Sequence, residues 1–127
     1  MQNINFIYEE LSYKLIGALY DVYNNLGPGL KEKTYKDALV MAFKKIQISF
    51  QREWCVNISY SGIIIGKRFF DFFIDEKIVL EIKIGNYYAP QHMKQTNDYL
   101  RIAKLKLAIL AYFGSDRVRI KRLVNLY

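Results

Sequence analysis

The amino-acid sequence predicts an α/β fold with a mixed central β-sheet flanked by α-helices. Two segments with helical spacing of apolar residues come first, a run of β-rich segments follows, and a third helical segment precedes two more strands. Because the chain has 127 residues and 52% of them are hydrophobic, it is long enough for one core. We therefore expect residues 1–127 to form a single domain.

The three helices are predicted from apolar residues that recur three and four positions apart. The first covers about 6–25 and ends at the segment 27–29, where Gly-Pro-Gly cannot continue a helix. The second covers about 30–46. The third covers 90–104 and begins at a proline, a residue that suits the first helical turn.

The strands are predicted from segments rich in aromatic and β-branched residues. These segments are 47–60, 63–74, 78–84, 105–113 and 118–125. Short polar turns separate several of them, which indicates hairpins. Within the second strand, Gly66 suggests a bulge or a tight bend.

Three charged residues interrupt the apolar hairpin formed by the second and third strands, namely Asp71, Glu81 and Lys83. Side chains alternate between faces along a strand, so Glu81 and Lys83 point the same way, roughly 7 Å apart. Pairing of 70–74 with 78–82 places Asp71 opposite Glu81. One interpretation is a cross-strand salt bridge on a solvated face. The other is a metal site, because buried charges are costly unless they pair or coordinate a metal.

The pattern Asp-x9-Glu-x-Lys on a hairpin resembles the PD-(D/E)XK nuclease superfamily. Residues 29–35 spell G-x-x-E-x-x-Y, which is similar to the signature of the GxxExxY protein family within that superfamily. Gln95 and Tyr99, in Q-x-x-x-Y-L on the third helix, add to the resemblance. It implies a restriction-endonuclease-like core and hydrolysis of phosphodiester bonds in DNA or RNA.

The resemblance also implies roles for individual residues. Glu32, Asp71 and Glu81 would hold Mg²⁺ or Mn²⁺, and the carbonyl of Ile82 between the two motif residues would be a further ligand. Lys83 would assist the attacking water.

Three further residues have both a functional and a structural interpretation. Gln95 would support the substrate or the lysine, with a surface amide as the alternative. Tyr35 and Tyr99 would play supporting parts, Tyr35 by orienting Glu32, although Tyr35 fits the helix core equally well. Glu32 itself suits the first turn of a helix for electrostatic reasons alone.

The charge balance favours a polyanionic partner. The formal net charge is +7 and the pI is about 9.4, so nucleic acid is the expected partner, with a charge that serves only solubility as the alternative. Arg52, Arg68 and Lys94 are candidates for phosphate contacts, with solvated surface positions as the alternative. The sequence shows no apolar run long enough to span a membrane and no signal peptide, so we expect a cytoplasmic protein.

Two hypotheses about function remain open from the sequence. The first is a Mg²⁺-dependent nuclease. The second is a catalytically silent module on the same fold that binds nucleic acid or protein. The small size of the chain favours the second hypothesis, because little surface remains for gripping a substrate, unless a homodimer supplies the missing surface.

Overall fold

The computed structural model describes residues 7–125. The helices are α1 (Glu9–Leu26), α2 (Glu32–Lys45) and α3 (Pro90–Ala103), and the strands are β1 (Phe50–Tyr60), β2 (Ile63–Ile74), β3 (Ile78–Ile84), β4 (Leu107–Phe113) and β5 (Val118–Val124). Every predicted element is present. The predicted start of the first helix, near residue 6, lies outside the described residues.

The five strands form one mixed sheet in the order β1-β2-β3-β4-β5. The pairs β1–β2, β2–β3 and β4–β5 are antiparallel, whereas β3 and β4 are parallel. Parallel neighbours need a crossover connection, and α3 provides it. The sheet confirms the predicted α/β class and agrees with a restriction-endonuclease-like fold.

Hydrophobic cores lie on both faces of this sheet. On one face, α1 and α2 pack over a cluster that includes Leu19, Phe43 and Leu80. On the other face, α3 packs over a cluster that includes Val79 and Leu100. The inner strands β3 and β4 are covered on both sides, which is why their sequences are almost continuously apolar. No helix within residues 7–125 is long and apolar enough to cross a membrane.

The alternation of side chains along β2 reverses at Asp71. Phe70 and Phe73 both pack on the α3 side, whereas Phe72 between them packs on the side of α1 and α2. Opposite Asp71 on β1, Glu53 has a φ of 55°, and this is the one position where the pairing between Phe50 and Ile58 is interrupted. The Asp71 side chain therefore lies at an irregular point of the sheet.

Strand β2 is much longer than its pairing with β3. It pairs with β3 only at Phe72, Phe73 and Ile74, whereas its pairing with β1 continues back to Ile63. The register shifts by one residue next to Gly66, so the predicted bulge is confirmed. β2 thus separates from β3 at Asp71 and continues as half of a two-stranded ribbon.

Candidate active site

Asp71 lies at the point where β2 leaves β3, and its carboxylate has a partner on each side. Oδ2 accepts a hydrogen bond of 2.7 Å from the backbone N–H of Ile82. Oδ1 lies 2.6 Å from Nζ of Lys36 on α2. Since the N–H and C=O of a strand residue point to the same edge, the Ile82 carbonyl also faces the gap beside Asp71.

Glu81 is almost entirely buried, with only 5% of its side chain exposed. Burial, followed by the neighbouring Asp71 carboxyl, raises the pKa of Glu81 from 4.5 to about 8. The Arg68 guanidinium lies 3.7 Å from Oε1, too far for a hydrogen bond, and this oxygen has no hydrogen-bond partner among residues 7–125. Two carboxyl groups thus face each other, and one of them is held in its neutral form near pH 7.

Lys36 separates Glu32 from Asp71. Glu32 is the first residue of α2, and Lys36 one turn later lies 3.6 Å from its Oε2 while contacting Asp71. Burial alone would lower the pKa of Lys36, but the hydrogen bond to Asp71 and the charges of Asp71, Glu32 and Glu81 raise it overall. Within the described part of the chain, no three His, Cys, Asp or Glu side chains form a group that could hold a metal ion.

Lys83 lies on the same face of β3 as Glu81, as the two-residue spacing requires. It is half-buried, and its positive charge acts to lower the pKa of both Glu81 and His92. The structure therefore brings Asp71, Glu81 and Lys83 to one end of the β2–β3 pair.

Arg68 connects α3 to this group. Its Nη1 donates a 2.6 Å hydrogen bond to Oε1 of Gln95, and its guanidinium lies 4.8 Å from the ring centroid of Phe70 and 5.8 Å from that of Tyr99. Arg68 thus contacts Gln95 and Tyr99 of α3 as well as Glu81, and links these two residues to the acidic pair. The alternative that Arg68 is simply a solvated surface residue is wrong, because its side chain is largely buried among these partners.

Tyr35 supports the loop before α2 and not the acidic residues. Its ring is buried and packs edge-on against Phe113. Its hydroxyl donates to the carbonyl of Gly27 at 2.6 Å and accepts from the N–H of Leu30 at 3.3 Å. The predicted orientation of Glu32 by Tyr35 is therefore corrected: this hydroxyl ties the loop to the helix.

The other two basic candidates form ion pairs of their own. Arg52 donates to Asp37 of α2 at 2.7 Å and lies over the Phe72 ring. Lys94 is exposed on α3 and pairs with Asp98, four residues further on. Contact of either residue with a phosphate backbone stays a prediction.

Two further residues, Lys36 and His92, lie near the site. Lys36 follows Glu32 by four positions, a spacing that places oppositely charged side chains together on a helix and that was available in the sequence. His92 on α3 is half-buried, with Nδ1 2.9 Å from the Tyr112 hydroxyl. Burial and the nearby cations Lys83 and Arg68 lower the pKa of His92 to about 4, so its ring is neutral at pH 7.

Comparisons with known proteins agree with the fold. A family model described as the PD-(D/E)XK nuclease superfamily matches residues 9–123. A solved structure titled "Crystal structure of SSO0001" aligns with a TM-score of 0.50 and 18% identity, over 92% of this chain and 78% of that one, which shows a shared fold. A search of curated proteins found no match. Membership of the narrower GxxExxY family stays a prediction.

Proposed function

Because the chain belongs to the PD-(D/E)XK nuclease superfamily, we propose that it is a nuclease that hydrolyses phosphodiester bonds in DNA or RNA with the help of Mg²⁺ or Mn²⁺. The pair Asp71–Glu81 carries this proposal. Two carboxyl groups meet at an opening of the sheet, one of them nearly buried with an unbonded oxygen, and an ammonium lies on the same strand face. Burying carboxyl groups costs free energy that apolar residues at these positions would not, so their presence supports a chemical role.

The donor set suits a hard divalent cation. Mg²⁺ prefers oxygen ligands and commonly takes one or two carboxylates, with water and substrate phosphates completing its shell. Asp71, Glu81 and the Ile82 carbonyl would hold it. Glu32 is separated from Asp71 by the Lys36 side chain, which contacts both. When bound, the cation would supply a more acidic water and would stabilise charge on the phosphate.

The chain's own residues would perform the remaining tasks. Lys83 would place an ammonium beside the attacked phosphate and the water, where it stabilises developing negative charge. Gln95 would hold Arg68 in place through their 2.6 Å hydrogen bond. Arg68 would present positive charge toward the substrate backbone. Its charge also acts to lower the pKa of Glu81, which would favour ionisation of that carboxyl.

Calorimetric titration of Mn²⁺ into the purified protein tests the metal site. We expect saturable binding in wild type and in the control Asp37→Asn, which alters an exposed ion pair of α2. We expect binding to be lost in Asp71→Asn and in Glu81→Gln, because each replaces a carboxyl group that would bind the cation with an amide that cannot ionise. Binding that persists in both variants would contradict the proposed site.

A nuclease screen over single- and double-stranded DNA and RNA then tests catalysis. We expect cleavage in the presence of Mg²⁺ or Mn²⁺, and loss of cleavage in Lys83→Met with metal binding retained. Metal binding by wild type without cleavage of any of these substrates would contradict the enzymatic proposal.

One observation favours the second hypothesis, a silent nucleic-acid-binding module. The Lys36 ammonium already neutralises Asp71 at 2.6 Å, as expected of a site that works without a metal. A gel shift in the presence of a chelator separates the hypotheses: a silent module binds nucleic acid equally well without metal, whereas the nuclease loses affinity when the cation is removed.

A further inference from the structure

Three buried side-chain atoms around the candidate active site have no hydrogen-bond partner among residues 7–125. They are Nε of Arg68, Oε1 of Glu81 and Nε2 of His92. The Glu81 oxygen belongs to the acidic pair, whereas the proposed metal site gives no role to His92. A buried polar atom without a partner costs free energy, so the His92 nitrogen indicates a ligand that the chain itself does not supply.

His92 lies over the face of the sheet that carries Lys83. It is the third residue of α3, and its Nδ1 lies 2.9 Å from the hydroxyl of Tyr112 on β4. Tyr112 pairs with Lys83 in the register of β3 and β4, so these two side chains are neighbours on one face. After burial, the charges of Lys83 and Arg68 contribute most to lowering the pKa of His92, while Asp71 acts to raise it. The imidazole is therefore within electrostatic reach of the site.

The hydroxyl of Tyr112 determines which imidazole nitrogen carries the proton. Tyr112 is only 4% exposed, and its hydroxyl accepts a 3.4 Å hydrogen bond from the backbone N–H of Ala89. The proton of a buried hydroxyl needs an acceptor of its own, and among residues 7–125 Nδ1 of His92 is in position to accept it. Because a nitrogen that accepts a hydrogen bond is unprotonated, the neutral ring carries its proton on Nε2.

Nε2 of His92 is thus a buried donor among other donors. The side chains of Lys83 and Arg68 have no acceptor atoms, and Oε1 of Gln95 already accepts a hydrogen bond from Arg68. A non-bridging phosphate oxygen would be an acceptor both for His92 and for the unpartnered Nε of Arg68. The ammonium and the guanidinium favour the same ligand, because both groups attract phosphate.

We propose that His92 is a catalytic residue that donates a hydrogen bond from Nε2 to a non-bridging oxygen of the attacked phosphate. This inference rests on the proposed nuclease function. Negative charge increases on the phosphate oxygens in the transition state, and a donor already fixed in place stabilises that charge without reorganisation. Tyr112 is a positioning residue, since it acts through His92. A ring protonated at Nε2 and bonded at Nδ1 has no free acceptor for a proton from the attacking water, so the role differs from that of a general base.

Nitrogen NMR of the imidazole tests the position of the proton and needs no catalysis. His92 is the sole histidine of the chain, so protein labelled at histidine gives the signals of one ring. At pH 7 we expect a neutral ring protonated at Nε2, and a mixture of the two tautomers in Tyr112→Phe. The matched control is Tyr88→Phe, which also removes a phenol hydroxyl and whose ring centroid lies 5.0 Å from that of Tyr112. It should keep the wild-type tautomer, and a wild-type ring protonated at Nδ1 would overturn the proposal.

Single-turnover cleavage of a nucleic acid identified in the nuclease screen tests the contact with phosphate. We expect His92→Phe to lower the rate constant of cleavage on the order of a hundredfold, the usual effect of removing one such donor, while Mn²⁺ affinity stays at the wild-type value. His92→Gln keeps an N–H donor and should recover part of this loss. Sulfur in place of one non-bridging oxygen, tested as separate Rp and Sp diastereomers in Mn²⁺, should slow wild type more than His92→Phe in one of the two diastereomers.

The outcomes distinguish this inference from the proposed function. A wild type that cleaves no nucleic acid would overturn both. Cleavage by wild type with the same rate constant in a folded His92→Phe protein would overturn the role of His92 alone. Sulfur effects that are equal in wild type and His92→Phe for both diastereomers would also overturn it, because they would show that His92 makes no contact with the phosphate. Circular dichroism would check that each variant keeps the wild-type fold.

Discussion

At the residue scale, Asp71 and Glu81 differ because of what surrounds each carboxyl. Asp71 is bonded to an ammonium and to a backbone N–H. Glu81 receives no hydrogen bond at Oε1 among the described residues and is held by burial and by Asp71 in its protonated form. Ionisation of Glu81 is therefore less favourable in the folded protein than in the unfolded chain.

Glu81 makes the stability of the metal-free protein depend on pH. Its pKa is about 8 in the folded protein and about 4.5 unfolded, so between these values the folded state binds more protons. The free energy of unfolding should therefore fall as pH rises. His92, with a pKa of about 4 against 6.5, acts in the opposite direction but only below about pH 6.5.

The window from pH 6.5 to 8 isolates Glu81. Urea denaturation there should show a loss of roughly 1–2 kcal/mol in wild type, at about 1.4 kcal/mol for each pH unit of full proton difference. Glu81→Gln should lose much less, and Glu76→Gln in the exposed hairpin turn should behave like wild type. Equal losses in wild type and in Glu81→Gln would contradict the raised pKa.

Lys36 should compete with a cation for Asp71, a prediction that depends on the proposed metal site. A cation bound by Asp71 must displace or share the 2.6 Å contact to Lys36. A charge-assisted hydrogen bond contributes about 1.5–3 kcal/mol, so Lys36→Met should bind Mn²⁺ on the order of tenfold more tightly in calorimetry.

The matched control for Lys36→Met is Lys33→Met. Lys33 lies on the same helix and pairs with Asp37 at the exposed surface, so its removal makes the same change in net charge away from Asp71. Metal affinity that rises equally in both variants would indicate a general charge effect. Unchanged affinity in Lys36→Met would contradict the competition while leaving the Asp71 site intact.

At the element scale, aromatic hydroxyls fix the loop that leads into α2. Gly27 has a φ of 77° and ends α1. Tyr35 bonds to this glycine and to Leu30, and Tyr23 donates to the carbonyl of Gly114 at 2.7 Å. These bonds set the position at which α2 begins and therefore the position of Glu32.

Tyr35→Phe should test this structural role. The variant keeps the ring packed on Phe113 but removes both hydroxyl bonds, so we expect a loss of about 1–2 kcal/mol in the free energy of unfolding by urea. Tyr13→Phe, at a tyrosine that is 82% exposed, should cost little. A large fall in Mn²⁺ affinity in a folded Tyr35→Phe protein would contradict a purely structural role for this hydroxyl.

At the scale of the whole molecule, the parallel pairing of β3 with β4 determines where α3 lies, because α3 connects these two strands. The crossover through α3 carries Gln95 and His92 over the sheet face on which Glu81 and Lys83 lie, while α2 brings Lys36 to Asp71 from the other face. The site is thus assembled from both layers, at the opening where β2 leaves its neighbour. No single hairpin or helix could form it alone.

The sequence by itself determined the elements, the β2–β3 hairpin and the nearness of Asp71, Glu81 and Lys83, because these follow from local periodicity and a three-residue turn. It also indicated the superfamily. Only the tertiary structure decided that Lys36 lies between Glu32 and Asp71, that Arg68 lies between Gln95 and Glu81, and that the β1–β2 ribbon stands exposed. These contacts join residues far apart in the chain, so no local pattern indicates them. In addition, side chains along β2 change their alternation between the two sheet faces at Asp71, and a regular alternation is what such an inference would need. Burial, which sets the pKa of Glu81, depends on the packing of every layer and has no local signal.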